Sequence, residues 1–267
     1  MNVPELLNEL NFFQGRETGL RSVWRYSLYS KMWYRTNLWT HSRRVAWMVE
    51  EMIPTAQRVF GDSFDPKRAV ALALVHDDAE ILFGDIQAGN KAKMSNEELE
   101  KIKQQELDAI NELASGYPAM IGGYSYKSLL LEAVEKKSNE CVLLNWADKY
   151  DAFCEALHEL YAGNVAWTVN VENEYGKIAL PTEYYMDYFR SFQKKFPTSA
   201  ELFLEGSSWL LVPQEPDLSL IIKSASLHTE TSLVTPKGYT AYDQWVALTL
   251  REGTSEDRAD LVIRKEL

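Results

Sequence analysis

The sequence predicts an all-α fold, because apolar residues recur at helical spacing along most of its 267 residues. In the stretch THSRRVAWMVEEMIPTAQRVFG, for example, Val45, Met48 and Val49 follow an i, i+3, i+4 pattern. Helix start and stop signals bracket the apolar runs, as Pro66 does before one run and Gly84 does after it. These observations favour a bundle of helices packed around one core.

Several segments carry the helical pattern in turn. Pro4 lies near the start of the first helix, Pro54 should kink or split the third, and Ser95 with Glu98 forms a capping-box signature. Segment 66–84 is apolar almost all round, so we expect it in the core. The helices are expected at residues 4–13, 20–33, 38–61, 66–84, 95–116, 125–137, 138–163 and 182–196.

The C-terminal region differs in composition from the rest of the chain. Beyond about residue 205 it is rich in Ser, Thr, Pro and β-branched residues, which suits a short hairpin or an irregular connection. A final helical pattern, TAYDQWVALTLREG, follows. We therefore expect a main helical domain at 1–212 and a C-terminal appendage at 213–267, for which the pattern allows mixed structure.

Charge and cysteine content limit the partners and the compartment. The formal net charge of −11 argues against a long nucleic acid, whose backbone needs a basic face, although a small phosphorylated ligand remains compatible. Cys141 and Cys154 fall about 20 Å apart along one predicted helix, so reduced thiols and a cytoplasmic location are expected. The first residues lack a basic leader region, and no apolar run approaches the ~20 residues of a membrane span.

Histidine and aspartate residues that lie within apolar helical segments are the candidate metal ligands of the chain. His76 and Asp77 are adjacent in the most apolar segment, His41 begins another helix, and Asp148 lies in a long apolar helix. Carboxylates are costly to bury unless they are paired or bound to metal. A His/Asp set without thiolates suits a divalent ion among Mn, Co, Mg, Fe, Ni and Zn, and the residue types leave the choice open.

The spacing around His76 adds a candidate general base. His76 and Glu80 are four residues apart, so a continuous helix would project them from one face about 6 Å apart. A metal held by His76 and Asp77 would then have Glu80 within reach of its bound water. Asp85 follows the predicted helix end at Gly84, where a loop can present it to the same cavity.

His41, the doublet His76–Asp77 and Asp148 form an H…HD…D pattern. Together with the segments HDDAEILFGDI and ADKYDAF, this pattern resembles the HD-domain metal-dependent phosphohydrolases, and most closely their bacterial 5′-deoxynucleotidase branch. That branch has an Arg–aromatic pair before the first His, a place that Arg25–Tyr26 fits. The usual aromatic residue there is Trp, so Tyr26 departs from the pattern and leaves sugar discrimination open. The resemblance covers roughly residues 20–165.

The resemblance implies an all-α HD-domain bundle, one divalent metal ion and a nucleotide substrate. Glu80 would activate the attacking water or relay its proton, and Asp85 would assist near the substrate. Arg25 with Tyr26 would bind the phosphorylated substrate, and Lys149 is a second cation for the phosphate. A homodimer is suggested only by this resemblance. The implied metal ligands are His41, His76, Asp77 and Asp148.

Three functions follow as alternatives. The leading one is a 5′-deoxynucleotidase that hydrolyses deoxynucleoside 5′-monophosphates to deoxynucleoside and phosphate. A dNTP triphosphohydrolase on the same site would need more cations, for which the sequence offers Arg16, Arg21, Lys31, Arg35 and Lys91. The third is a catalytically silent nucleotide-binding or interaction module.

The remaining charged residues near the pattern are expected on the surface. Asp78 should point away from His76, towards the outer face of its helix or behind the site. Arg43 and Arg44 should lie on a solvated face, as most arginines do.

Overall fold

A computed structural model describes residues 2–26, 32–86, 94–164, 171–173, 176–178, 231–233 and 240–264 of the chain. Helices account for most of these residues, which confirms the predicted all-α class. The helices are α1 Val3–Leu10, α2 Arg16–Ser22, α3 Leu38–Phe60, a 3₁₀ turn Gly61–Ser63, α4 Pro66–Val75, α5 Glu80–Phe83, α6 Asn96–Gly116, α7 Tyr126–Glu135, α8 Asn139–Tyr161, α9 Thr240–Glu252 and α10 Ser255–Ala259.

The described strands are short and pair only with a neighbour in antiparallel fashion. Pairs form between β1 Met120–Ile121 and β2 Tyr124–Ser125, between β3 Val171–Asn173 and β4 Gly176–Ile178, and between β5 Thr231–Leu233 and β6 Val262–Arg264. The described part of the C-terminal region thus holds both helix and strand. The expected boundary at 212/213 and the predicted helix at 182–196 lie outside the described residues.

The chain divides into two compact units. The first comprises residues 1–28, 35–53 and 60–147, and the second comprises 29–34, 54–59 and 148–267. Among the described helices, none is long and apolar enough to cross a membrane.

Helix α4 forms the centre of the first unit. Pro66 occupies its first turn, and the Asp65 side chain caps it by accepting a hydrogen bond from Arg68 N. Every residue from Ala69 to Val75 is buried, as the apolar run AVALALV predicts. This rigid helix ends immediately before His76, so the core fixes the position at which the HD doublet begins.

The prediction of one helix at 66–84 is wrong at its middle. Helix α4 ends at Val75, and residues 76–79 form a turn before α5. Hydrogen bonds there span three residues, as from Asp78 N to Val75 O at 3.0 Å and from Glu80 N to Asp77 O at 3.0 Å. The Arg16 side chain donates to the carbonyl of Leu74, the acceptor that the amide of Asp78 would use in a continuous α-helix.

The predicted helix at 20–33 is helical only through Ser22 and is wrong from Val23 onward among its described residues. The chain becomes extended at Val23, and Trp24 pairs with Asn37 in a single antiparallel bridge. Backbone hydrogen bonds from Arg25 N to Thr36 O and from Leu38 N to Val23 O hold this bridge. β-Branched and aromatic residues favour such an extended pairing. Helix α3, in contrast, continues through Pro54 without being split.

Candidate active site

His76 stands at the end of α4 with one ring nitrogen tied to the backbone. Its Nδ1 lies 2.8 Å from Ala73 O, and because a carbonyl only accepts, Nδ1 must carry the hydrogen. The lone pair of the neutral ring is therefore on Nε2. This nitrogen is buried and has no hydrogen-bond partner among the residues that the structure describes. Metal-binding histidines are usually oriented in this way, with the second nitrogen held by the backbone.

Asp77 places its carboxylate against both imidazoles. One oxygen lies 3.3 Å from His41 Nε2 and the other lies 3.2 Å from His76 Nε2. The ligand nitrogens of His41 and His76 lie within 4.8 Å of each other. Burial alone would raise the pKa of Asp77, but the neighbouring imidazoles of His76 and His41 hold that pKa well below its usual range. The first unit thus brings two imidazoles and one ionised carboxylate together.

Arg25 lies directly beside this group. Its Nη1 donates a hydrogen bond to His41 Nδ1, since a guanidinium cannot accept. The bridge between Trp24 and Asn37 fixes the Arg25 backbone, and its guanidinium carbon lies 5.2 Å from the centroid of the Tyr26 ring. Arg25 is 8% exposed. A fixed positive charge is therefore held next to the His41–Asp77 contact.

Tyr26 and Asp85 meet through the backbone. Tyr26 has a φ of 56°, a left-handed conformation that a residue with a large side chain rarely adopts. Its amide donates to Asp85 Oδ2 at 3.3 Å. Asp85 follows Gly84, whose φ of 85° lets the chain turn out of α5. The strained turn at Tyr26 is thus secured by the carboxylate of Asp85, close to Arg25.

We predict that Asp85→Asn stabilises the protein at high pH. Burial raises the pKa of the Asp85 carboxyl, against the lowering effect of Arg25. An acid with a raised folded-state pKa contributes stability below its unfolded pKa and loses that contribution as the pH rises through the folded value. The neutral Asn should therefore raise the melting temperature at about pH 8, and the gain should shrink towards about pH 4.

Thermal melts across this pH range check the prediction. Glu98→Gln is a control with the opposite expected sign, because hydrogen bonds from Ser95 lower the pKa of Glu98. Loss of the Glu98 carboxylate should therefore lower the melting temperature at neutral pH. A gain for Asp85→Asn that did not vary with pH would contradict the burial argument.

Glu80, Asp148 and Lys149 occupy the remaining predicted positions. Glu80 is the first residue of α5 and is half-buried. Asp148 and Lys149 belong to the second unit, where Lys149 Nζ donates to Asp148 Oδ2 at 2.6 Å. Asp148 follows Ala147, the last first-unit residue of α8, without a break in the helix.

Comparison with known proteins identifies the family. The model of the 5′-deoxynucleotidase YfbR-like family matches residues 12–196. The chain belongs to this family. The 5′-deoxynucleotidase ECA3034 of Pectobacterium atrosepticum is 28% identical over 210 residues, which cover 75% of this chain and 99% of that relative. The 5′-deoxynucleotidase YfbR of Shigella dysenteriae is 29% identical over 160 residues, 57% of this chain and 75% of the relative.

Membership of the YfbR-like family confirms the predicted HD-domain 5′-deoxynucleotidase branch and the prediction of a phosphohydrolase. The residues present fit the divalent metal on which HD-domain phosphohydrolases depend. His76 Nε2 offers a buried lone pair without a hydrogen bond, and Asp77 offers an ionised carboxylate beside it. His41 and His76 have ring nitrogens within 4.8 Å of each other and are candidate metal ligands, Asp77 contacts both, and these donor types do not select one metal.

Sequence reasoning misplaced several charged residues of this YfbR-like chain. Of the two places predicted for Asp78, the outer face is wrong: Asp78 is fully buried behind the HD doublet and bonded to Arg16, one of the cations predicted for a triphosphate. Arg43 and Arg44 are buried rather than solvated, and the Arg43 guanidinium carbon lies 4.9 Å from the centroid of a Trp39 ring. Aromatic faces and carboxylates remove the cost of burying these cations. The sequence signal for Arg16 is indirect: if Asp78 is buried it needs a cation, but the sequence does not indicate which cation.

Proposed function

We propose that the chain is a 5′-deoxynucleotidase that hydrolyses deoxynucleoside 5′-monophosphates to deoxynucleoside and phosphate. The observation that carries the proposal is the contact of Arg25 with His41, which puts a phosphate-binding cation beside the His-His-Asp group. The names of the relatives, all 5′-deoxynucleotidases, support it. A cytoplasmic location and a homodimer remain predictions from the sequence.

The proposed ligands of one divalent metal are His41, His76, Asp77 and Asp148. The orientation of His76 and its contact with Asp77 support these two, and the approach of the His41 and His76 ring nitrogens to within 4.8 Å supports His41. The H…HD…D pattern of the sequence supports Asp148. When bound, a divalent metal lowers the pKa of a water molecule and polarises a phosphoryl oxygen.

The other residues take separate roles in the proposed reaction. Glu80 accepts the proton of the attacking water, which a carboxylate can do at neutral pH. Arg25 and Lys149 neutralise the negative charge of the transferring phosphoryl group. Asp85 assists by holding Tyr26 and the adjoining Arg25 in place through the Tyr26 amide. Tyr26 lines the substrate side of Arg25, as its ring lies against that guanidinium.

A phosphate-release assay tests the proposed function. Metal-stripped protein is supplied with Mn²⁺ or Co²⁺ and a panel of deoxynucleoside monophosphates, ribonucleotides and dNTPs. We expect inorganic phosphate from the monophosphates, loss of release with EDTA, and recovery when metal is returned. Intact triphosphate from a dNTP would identify the triphosphohydrolase instead, and nucleotide binding without turnover under every metal would identify a silent module.

Two of the cations that a triphosphate could use are already paired with carboxylates, which supports a monophosphate. Of the cations available to a triphosphate, Arg16 is bonded to Asp78, and Arg21 lies 2.8 Å from Glu17. Lys31 and Lys91 lie outside the described residues. A triphosphate carries more charge than a monophosphate and would need these additional partners.

We predict that Arg25→Ala lowers kcat/KM for deoxynucleoside monophosphates by about 10²-fold, the usual effect of removing one charge-stabilising donor. Arg25→Lys should recover only part of this, since an ammonium does not reproduce a planar guanidinium. Steady-state kinetics measure both. Arg21→Ala, on the exposed side of α2, is the matched control and should keep wild-type kinetics. Equal kcat/KM for Arg25→Ala and Arg21→Ala would exclude Arg25 from phosphate binding.

A further inference from the structure

Arg16 makes a deeply buried charge contact in the first unit, outside the metal-ligand group. It extends from α2 and donates to both carboxylate oxygens of Asp78, from Nε and Nη2, each at 2.7 Å. The Tyr126 hydroxyl donates a further hydrogen bond to Asp78, also at 2.7 Å. Arg16 is 2% exposed and Asp78 is 0% exposed. Neither water nor a diffusing ligand can therefore reach the Arg16–Asp78 pair.

Stability alone does not account for this pair. Burial by itself would lower the pKa of the Arg16 guanidinium, yet the adjacent Asp78 carboxylate raises it, so the guanidinium stays charged. A buried ion pair can often be replaced by apolar residues of similar volume without loss of stability. What the bidentate contact adds is a fixed geometry, because two parallel hydrogen bonds define both distance and angle.

The geometry that Arg16 fixes is that of the HD turn. In an unbroken α-helix, the carbonyl of Leu74 would accept from the amide of Asp78. Here that amide bonds to Val75 O, while Arg16 Nη2 donates to Leu74 O at 2.5 Å. One guanidinium therefore holds the carbonyl of residue 74 and the side chain of residue 78. His76 and Asp77 lie between these two attachment points.

Helix α2, which carries Arg16, is itself held closely against the next element. A Cβ added at Gly19 would lie 2.7 Å from Cγ2 of Ile81 in α5, so only glycine permits this approach. Leu20 of α2 is fully buried, and Ile81 packs against the same apolar cluster. Helix α2, which carries Arg16, thus packs directly against α5, the helix that follows the turn.

We propose that Arg16 is a positioning residue of the metal site, which holds the turn between Leu74 and Asp78 so that His76 and Asp77 face the metal together. Without the clamp, the Leu74 carbonyl is free to accept from Asp78 N, and the segment can return to the α-helical geometry of the sequence pattern. The direction of the His76 and Asp77 side chains would then change. This inference rests on the proposed metal dependence, but not on the identity of the substrate.

Isothermal titration of metal-stripped, full-length protein with Mn²⁺ tests the clamp. Arg16→Met should weaken Mn²⁺ binding by about 10–100-fold, the usual effect of losing a residue that orients a metal ligand. Arg68→Met is the matched control, because Arg68 pairs with Glu132 near the opposite end of α4 and does not contact the turn. Its Mn²⁺ affinity should equal that of the wild type. Folded Arg16→Met protein with wild-type Mn²⁺ affinity would overturn the proposal.

Arg16→Lys separates positioning from stability. The lysine keeps the buried charge, but its ammonium cannot span Leu74 O and both Asp78 oxygens as a planar guanidinium does. We expect it to recover more of the thermal stability than of the Mn²⁺ affinity. Equal recovery of both would mean that the pair only stabilises the fold, and the proposal would be wrong.

Milder variants keep the test valid if Arg16→Met does not fold. Asp78→Asn removes the negative charge and replaces one of the two acceptor oxygens with a donor, and Tyr126→Phe removes only the hydroxyl that donates to Asp78. Both should weaken Mn²⁺ binding, Asp78→Asn more strongly, and wild-type affinity in both would refute the clamp. Mn²⁺ binding weakened as expected in a protein that does not hydrolyse nucleotides would disprove the proposed function and leave this inference standing.

Discussion

Asp77→Ala is expected to abolish phosphate release. The carboxylate of Asp77 lies between His41 and His76, 3.3 and 3.2 Å from their Nε2 atoms, so its loss removes a proposed ligand and leaves the two imidazoles without their common partner. Loss of a group that only orients a ligand costs roughly 10–100-fold in metal affinity or activity. Loss of the ligand itself should cost more, and the remaining activity should fall to the background of the assay.

Phosphate release from deoxynucleoside monophosphates and Mn²⁺ titration are the two measurements for Asp77→Ala. Asp62→Ala provides the control, because Asp62 is an exposed carboxylate in the 3₁₀ turn Gly61–Ser63 and should change neither. Hydrolysis that persisted in Asp77→Ala, at a rate insensitive to EDTA, would rule out the metal site built on the HD doublet.

Trp245→Ala is expected to destabilise the protein by about 3–5 kcal/mol, the usual effect of truncating a buried Trp. In the second unit this side chain is 2% exposed, and its indole ring stacks against Tyr242 with centroids 5.9 Å apart. Its Nε1 donates to Asp151 Oδ1 at 2.8 Å. Asp151 is completely buried, so the substitution also removes a donor from a carboxylate that water does not reach.

Urea unfolding followed by circular dichroism measures the effect of Trp245→Ala. Trp24→Ala is the matched control, because Trp24 is 50% exposed and its truncation leaves little empty volume. We expect the unfolding midpoint of Trp24→Ala to stay near that of the wild type. An unfolding midpoint of Trp245→Ala that also stayed near the wild-type value would show that α9 contributes little to the stability of the second unit.

The local parts of the site were predictable because their residues are neighbours in sequence. The HD doublet in an apolar run fixed the ligand hypothesis, and α8 was predicted within two residues at each end. The break after Val75 was not predictable, because Arg16, which donates to Leu74 O at the break, lies 58 residues away from Leu74 in the chain. Periodicity reports the preference of a segment by itself, and here one buried guanidinium outweighs it.

The same reasoning explains the error at residues 20–33. Trp24 and Arg25 carry a helical pattern of aromatic and basic residues, but their backbone pairs with Thr36 and Asn37. The left-handed φ of Tyr26 is compatible with neither helix nor strand and is stabilised by Asp85, 59 residues later. Long-range hydrogen bonds of this kind leave no periodic trace in the sequence.

The contacts of Trp245 with α8 show that the folded second unit extends beyond the part of the chain that matches the family. The family match ends at residue 196, yet Asp151 and His158, which lie within it, are bonded to Trp245 and Tyr242 beyond it. Tyr34 likewise accepts a hydrogen bond from the backbone of Arg264. A recombinant polypeptide ended at residue 196 would carry the whole recognisable signature and still expose these buried polar groups. We therefore expect a stable recombinant form of this phosphohydrolase to include the chain through β6.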